Sequence, residues 1–502
     1  MTDLDGLYRH AHGTRVVVIG GGIGGLVAAR EFAKVGMVVT VLEAGDRLGG
    51  AIRGGEVAGL ELDLGAESFA TRGGHVRALV DELGLGDAVV EPDRAGAWVA
   101  GLPGGRAEPL PKGGVLGIPA NPFAEDVRRV IGWGGAWRAY LDRLRPPLTI
   151  GHEHSLGRLV ESRLGSAVLD RLVAPVTTGV YSARPHDIDV DAAAPGLNAA
   201  LTRAGSLTGA VAELTAARQG KAPGSAVLGL AGGMGRLVAA LESELASAGV
   251  EIRTGTPVAS LERAAGGWLV GAARDGEPEG AGLTPPPAEG IEPSDLDGER
   301  SLFADVVLVA TEEAAARRLL APHIEGLAAE APLPGPAVDI VTLVLEAPEL
   351  DAAPRGTGVL TVPGSSRAKA LTHVTAKWAW VRERAAGRHV VRVSFGTQDE
   401  APATSRLDQD EVAELALAEA AGLLGVPLRR RQLLGARLER FAQSQPASRV
   451  GHRDETERTR ALLASTPGIG AVGAWLAGTG LAQVVPDAIA EADRVRRAAL
   501  FG

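Results

Sequence analysis

The sequence predicts a chain of mixed class, α/β in one part and α+β in another. The expected layout is a discontinuous domain on a parallel sheet, a mixed-sheet domain and a helical subdomain. Three observations carry this. Val16-Val17-Val18-Ile19-Gly20-Gly21-Gly22-Ile23-Gly24-Gly25-Leu26 is an apolar strand that runs through a glycine turn into a helix. Far downstream, Ala304 to Thr311 holds a strand whose centre, Val306 to Ala310, is fully apolar, of the kind buried in a parallel sheet, and Ile469 to Val472 opens another strand, glycine loop and helix. Between them the character changes, to helical runs within 96–225 and to short apolar runs separated by polar loops within 336–435. A chain of 502 residues is in any case too long for one core.

The first element is the most specific. Gly20 allows a tight turn, Gly22 lets the backbone approach a pyrophosphate, and Gly25 lets the helix pack close to the strand. The free N–H groups at the helix start, around Ile23 and Gly24, favour an anion. Gly36 is placed to stop the helix, and Met37 to Leu42 forms the second strand of a βαβ unit. Glu43, 18 residues past Gly25, closes that strand with Ala44 beside it, where a carboxylate accepts hydrogen bonds from a ribose diol. Such a carboxylate would repel a 2′-phosphate, which disfavours NADP. NAD and FAD remain open on this unit alone.

Further along, Leu60 to Asp63 reads as a short strand before acidic turn residues. Helices are expected over 125–143 and 155–172. A glycine turn at Gly232-Gly233 opens a helix over 237–248, and Val250 to Arg253 and Val258 read as strand material. Residues 273–300, rich in Gly, Pro, Glu and Asp, are expected to be a mobile insertion in a hairpin. After the loop Gly473 to Gly480 a last helix is expected over 486–500. The Rossmann-like nucleotide domain would thus comprise 14–95, 226–335 and 450–502. The substrate domain would comprise 96–225 and 336–449, with its helical part at about 120–215.

Composition narrows the function. A net charge of −10 argues against a general nucleic-acid binder. The chain has no cysteine, which excludes disulfides, thiolate metal sites, cysteine nucleophiles and a cofactor tethered through a thioether. The histidines are scattered, and His152-Glu153-His154 reads as a surface turn, so no metal site is expected. Residues 1–14 lack an apolar core for a secretory signal. The uncharged stretch 466–486 is broken by glycines and bounded by prolines, so it reads as a buried loop rather than a membrane span. A cytoplasmic protein is expected.

The continuation Glu43-Ala44-Gly45-Asp46-Arg47-Leu48-Gly49-Gly50 resembles the element that follows the ribose acid in the flavin amine oxidase superfamily. Other segments resemble one branch of it, in the branch's order. They are Gly65-Ala66-Glu67-Ser68-Phe69, Gly117-Ile118-Pro119, the run from Arg171 through Pro175 to Gly179-Val180-Tyr181-Ser182-Ala183, and Gly232-Gly233-Met234. Gln445-Pro446 with Val450-Gly451-His452 follows, and then Gly473-Ala474-Trp475-Leu476-Ala477-Gly478-Thr479-Gly480-Leu481. That branch is the porphyrinogen oxidases, in particular the bacterial soluble type that forms coproporphyrin III. The chain departs from the pattern in Ala66 for proline, in Ala447-Ser448-Arg449 where a tyrosine is usual, and in Arg184 where a glycine is expected.

The resemblance implies non-covalent FAD. It would be held by Gly20, Gly22, Ile23, Gly24, Gly25, Glu43 and Ala44, with Arg47, Gly49 and Gly50 near the diphosphate and ring. Val258 would offer its backbone to adenine, Trp475 would pack around the ring, and Gly480 and Leu481 would lie at its electron-rich edge. It implies oxidation of coproporphyrinogen III by molecular oxygen with release of hydrogen peroxide, in haem biosynthesis, and transient hand-over to a chelatase. The other readings are protoporphyrinogen IX oxidation or an amine oxidase on the same fold. Only three tyrosines exist (Tyr8, Tyr140, Tyr181) and none lies in the C-terminal loop, where amine oxidases place aromatics. Substrate propionates call for cations. Arg72, Arg184 and Lys377 are the candidates, with an exposed strand lysine as the other reading of Lys377.

Overall fold

A computed structural model describes residues 4–145, 153–216, 227–273, 301–330, 336–442 and 449–501. Gln445, Pro446 and all but the first residue of the expected insertion 273–300 lie outside them. Two sheets organise the fold. The first is parallel, with strands in the order Glu251–Arg253, Val38–Leu42, Arg15–Ile19, Val306–Val309 and Ile469–Ala471. Val306–Val309 and residues 16–19 are uninterrupted Val, Ile and Leu because both faces are covered. Val16, Val18, Val39, Val41 and Leu308 pack beneath the helix Ile23–Ala33 and the C-terminal helix Leu481–Phe501. Val17, Ile19, Val307 and Val309 pack on the other face with Trp268 and Trp475. Each fully buried Val or Leu contributes about 1.5–3 kcal/mol.

The second sheet is mixed and seven-stranded, in the order Leu433–Ala442, Ala337–Leu345, His389–Phe395, Ala368–His373, Gly358–Thr361, Ala97–Leu102 and Arg106–Pro109. One face carries Val341, Leu343, Leu371, Val391, Val393 and Phe395 onto the helix Gln409–Leu424. That helix opens with a capping box between Asp408 and Glu411. The helical part, with Glu125–Tyr140, Leu156–Leu164, Ala174–Tyr181, Leu197–Ala204 and Leu207–Ala216, packs on its own core, to which Val99 and Leu102 contribute.

Several elements differ from the sequence reading. The helix expected over 155–172 stops at Leu164, because Gly165 takes φ +88°. A short helix, a π-helical turn over Leu169–Val173 and the helix Ala174–Tyr181 follow. Glu125–Tyr140 is kinked at Gly132. The last helix starts at Leu481, ahead of Pro486, since a proline near a helix start removes a single hydrogen bond. Lys377 is not on an exposed strand. It ends the helical turn Val374–Lys377, and its side chain is only 20% exposed. The strands on either side of residues 274–300, Gly267–Ala272 and Ser301–Ala304, pair antiparallel.

Candidate active site

The glycine turn forms a cradle of backbone. A Cβ on Gly20, which has φ +111°, would lie 2.6 Å from the Ala310 carbonyl oxygen. A Cβ on Gly25 would lie 2.0 Å from the Gly20 carbonyl oxygen, so both glycines are demanded by packing. Gly22 differs: a Cβ there would meet nothing within 4 Å. The space in front of it is open, as close approach by a phosphate requires. Gly49 donates its N–H to the Gly21 carbonyl at 2.9 Å and seals the turn from behind.

Glu43 is held by two backbone donors, Gly21 N at 2.6 Å and Gly45 N at 2.7 Å, one on each carboxylate oxygen. Each oxygen keeps lone-pair capacity for a diol. The turn before Val258 is tied to the same loop, through Gly255 N to the Gly45 carbonyl and Thr256 N to the Glu43 carbonyl. The C-terminal loop meets the cradle from the far side. A Cβ on Gly24 would lie 3.3 Å from the Val484 side chain and 3.8 Å from the Gly473 amide. Two helix N-termini, at Ile23 and Leu481, therefore lie side by side, and both favour negative charge. These residues fit a dinucleotide: backbone donors, open space at Gly22 and a fixed ribose acid.

The seven-stranded sheet has a second side, away from the helix Gln409–Leu424. Ile340, Ser394, Ala370 and Leu360 lie in register across four adjacent strands. All four are partly exposed although they sit mid-sheet. Gly179 on the helix Ala174–Tyr181 closes over Leu360 and Ala370, where a Cβ would come within 2.6 Å of the Leu360 side chain. The result is a floor that alternates larger and small residues, with the helix Ala174–Tyr181 roofing its Leu360 and Ala370 end. Beside it lies an ion cluster from distant parts of the chain. Glu67 accepts from Lys377 at 2.5 Å and from Arg392 at 3.1 Å, and Arg392 also donates to the Leu64 and Gly65 carbonyls. Burial alone would raise the Glu67 pKa, but the two cations bring it down to about 2. Asp63 accepts from Met234 N at 2.9 Å, ahead of the helix Gly235–Ser247, and burial pushes its pKa up to about 6.

The expected residues fall into distinct places. Gly20, Gly22, Ile23, Gly24, Gly25, Glu43, Ala44, Gly49 and Gly50 converge, with Gly50 packed against the Gly22 backbone. Arg47 is exposed and reaches the Gly54 carbonyl at 3.1 Å and Glu439 at 4.0 Å. Trp475 is buried in the core under the parallel sheet. Arg72 is exposed, and its charge acts on Tyr181, whose hydroxyl pKa burial raises. Arg184 lies on the surface, paired with Asp187 and Asp399 at 3.0 Å each. Sequence reasoning missed Arg392, Asp63, Glu439 and Lys369. Glu439 collects Arg53 and Arg437 at 2.9 Å each. The alternation within Leu433–Ala442 and His389–Phe395 could have marked Glu439 and Arg392 as charges on a face of the sheet. Among the described residues, no group of three or more His, Asp or Glu could hold a metal ion.

A dinucleotide cradle on a parallel sheet, joined to a second, mixed sheet, defines a dinucleotide-binding protein. The model of the flavin-containing amine oxidoreductase family matches residues 23–499, and the chain belongs to that family. It is similar to the coproporphyrinogen III oxidase of Propionibacterium freudenreichii, 28% identical over 98% of this chain and 92% of that protein. It is likewise similar to the coproporphyrinogen III oxidase of Mycobacterium bovis, 30% identical over 92% of this chain and 93% of the other. The fold matches a protoporphyrinogen oxidase-like protein from Exiguobacterium sp. 255-15 with a TM-score of 0.79 at 24% identity, covering 96% of this chain and 98% of that one. Without cysteine, a thioether link to the flavin is excluded. No helix among the described residues is long and apolar enough to cross a membrane.

Proposed function

We propose that the chain oxidises coproporphyrinogen III to coproporphyrin III, with FAD as cofactor and molecular oxygen as oxidant. The observation that carries this reading is the partly exposed row Ile340, Ser394, Ala370 and Leu360, a floor across four strands on which a macrocycle would lie. The names of the two full-length relatives support it. One porphyrinogen and three molecules of oxygen give one porphyrin and three molecules of hydrogen peroxide, so six electrons and six protons leave the macrocycle. Bound FAD would supply a two-electron acceptor that oxygen reoxidises.

The chain's own residues bind and orient. Gly20, Gly22, Gly24, Gly25 and Ile23 would seat the pyrophosphate, and Glu43 with Ala44 would fix the adenosine ribose. Val258 would meet the adenine. Gly49, Gly50 and Arg47 would border the diphosphate, with Gly480 and Leu481 opposite. Lys377, locked on Glu67, would hold a fixed positive charge beside the floor rather than move a proton. Arg72 would meet a propionate at the mouth. A cytoplasmic location and transient hand-over to a chelatase belong to the same proposal.

The test uses purified holoprotein with anaerobically prepared coproporphyrinogen III and protoporphyrinogen IX, followed on adding air by porphyrin fluorescence and peroxide release. Faster turnover of coproporphyrinogen III with matching peroxide is expected. Preference for protoporphyrinogen IX would move the assignment to that substrate. A yellow, FAD-loaded protein inert toward both would overturn the porphyrinogen reading.

A further inference from the structure

Lys369 is buried, at 8% exposure, and no carboxylate pairs with it among the described residues. It owes its position to a β-bulge. Ala368 pairs with Phe395 and Ala370 with the next residue, Ser394, which leaves Lys369 as the extra residue of its strand. Thr361 fixes the bulge by hydrogen-bonding the carbonyls of both Ala368 and Lys369 at 3.0 Å. The inserted lysine donates from Nζ to the Ser182 hydroxyl.

Ser182 is itself unusual. It is 2% exposed and takes φ +55°, a left-handed conformation that costs a non-glycine residue about 1 kcal/mol. It follows directly on the helix Ala174–Tyr181 that roofs the floor, and its carbonyl accepts from Gln398 N at 2.8 Å. A buried ammonium has three donors and favours a counter-charge; here a single neutral hydroxyl meets it. The titratable groups on neighbouring segments do not serve. Tyr181 answers to Arg72, Arg184 is paired with Asp187 and Asp399, Glu419 accepts from Ser366, and His373 lies further along the strand.

We propose that Lys369, positioned by the bulge and by Ser182, is an anchoring site for one carboxylate of the substrate at the end of the floor beside Ala370. This rests on the porphyrinogen reading and deepens it: one acid substituent would be gripped in a buried subsite, while Arg72 stands at the exposed mouth. Lys369 would act on binding and orientation, not on the reacting carbons. Burial holds its pKa down at about 8, so the free site loses its charge as pH rises through that value.

The test measures binding of coproporphyrin III, the oxidised tetra-acid, and of its tetramethyl ester to wild-type holoprotein and to Lys369→Met, Lys369→Arg and Ser182→Ala. A charge-assisted hydrogen bond lost to Met is expected to weaken the tetra-acid by about 10- to 100-fold and to leave the ester unchanged, with Lys369→Arg in between. Wild-type affinity for the tetra-acid should fall above pH 8, and that dependence should vanish in Lys369→Met. A purely structural lysine would instead lower Tm without altering the pH profile or separating acid from ester, and that result overturns the proposal. Unchanged tetra-acid binding in Lys369→Met overturns this subsite alone. Failure of the wild type to bind the tetra-acid removes the porphyrinogen reading and the subsite with it.

Discussion

The two sheets solve opposite problems. The parallel sheet is sealed on both sides, with Val306–Val309 buried at every position, and its chemistry is made of backbone. The seven-stranded sheet is sealed on one side, where Phe395, Val393 and Leu371 meet the helix Gln409–Leu424, and left open on the other at Ile340, Ala370, Leu360 and Ser394. A cofactor that is the same in every turnover suits rigid main-chain donors. A substrate that must enter and leave suits a floor of side chains, with charge supplied by buried, mutually locked groups such as Glu67, Lys377 and Arg392.

The sharpest break should come where Glu67 pins its segment to Lys377 and Arg392. Glu67→Gln leaves Lys377 and Arg392 buried without their shared carboxylate and should cost about 3–5 kcal/mol, read as a lower denaturation midpoint. The wild type should show the same linkage by pH. Glu67 titrates at about 2 when folded, below its ordinary value near 4.5, so its contribution is present above that value and lost as pH falls toward 2. Asp63, raised to about 6, has the opposite sign and weakens stability as pH rises from about 4 to 6.

Within the cradle, two glycines should separate packing from binding. Gly25→Ala forces a methyl against the Gly20 carbonyl and should destabilise by about 1–3 kcal/mol, measured by thermal unfolding of the apoprotein. Gly22→Ala meets no protein atom, so apoprotein Tm should hold while FAD affinity falls. Equal Tm losses in both would show that Gly22 serves packing rather than the ligand. On the same floor, Ser394→Leu, away from the Gly179 contact, should leave Tm and the flavin spectrum intact and raise KM for the porphyrinogen about tenfold. The smallest effect is expected from replacing residues 274–300 with a short turn. Gly271 already pairs with Ser301, so closing the shorter loop should stabilise by about 1–2 kcal/mol at most.

The same contrast governs what could be read from the sequence. The cradle is local: strand, glycines, helix and Glu43 lie within thirty residues and follow one steric logic, so its shape was legible there. The resemblance extended that to the C-terminal loop. The floor was not legible. It depends on register across four strands, and on Ala97–Leu102 pairing in parallel with Gly358–Thr361 from far along the chain. The Glu67 cluster joins residues 310 and 325 positions apart. Lys369 faces Ser182 because a bulge shifts the alternation, which a period-two reading of that strand would place on the wrong side. Gly165 gave a visible break signal within an otherwise helical run, and its φ of +88° shows that the glycine outweighed the periodicity.

The order of the parallel sheet also bears on how the protein is made. Val306–Val309 has Arg15–Ile19 on one side and waits on the other for Ile469–Ala471, which is synthesised long after it. The helix Leu481–Phe501, which covers Ile23–Ala33, comes later still. Until then an apolar strand edge lies unpaired, a known template for aggregation. Synthesis therefore passes through a long interval in which most of the chain exists without a closed cofactor domain. Truncation before Ile469 should send the product to inclusion bodies or proteolysis, and free flavin should protect the chain only once Ile469–Ala471 has docked.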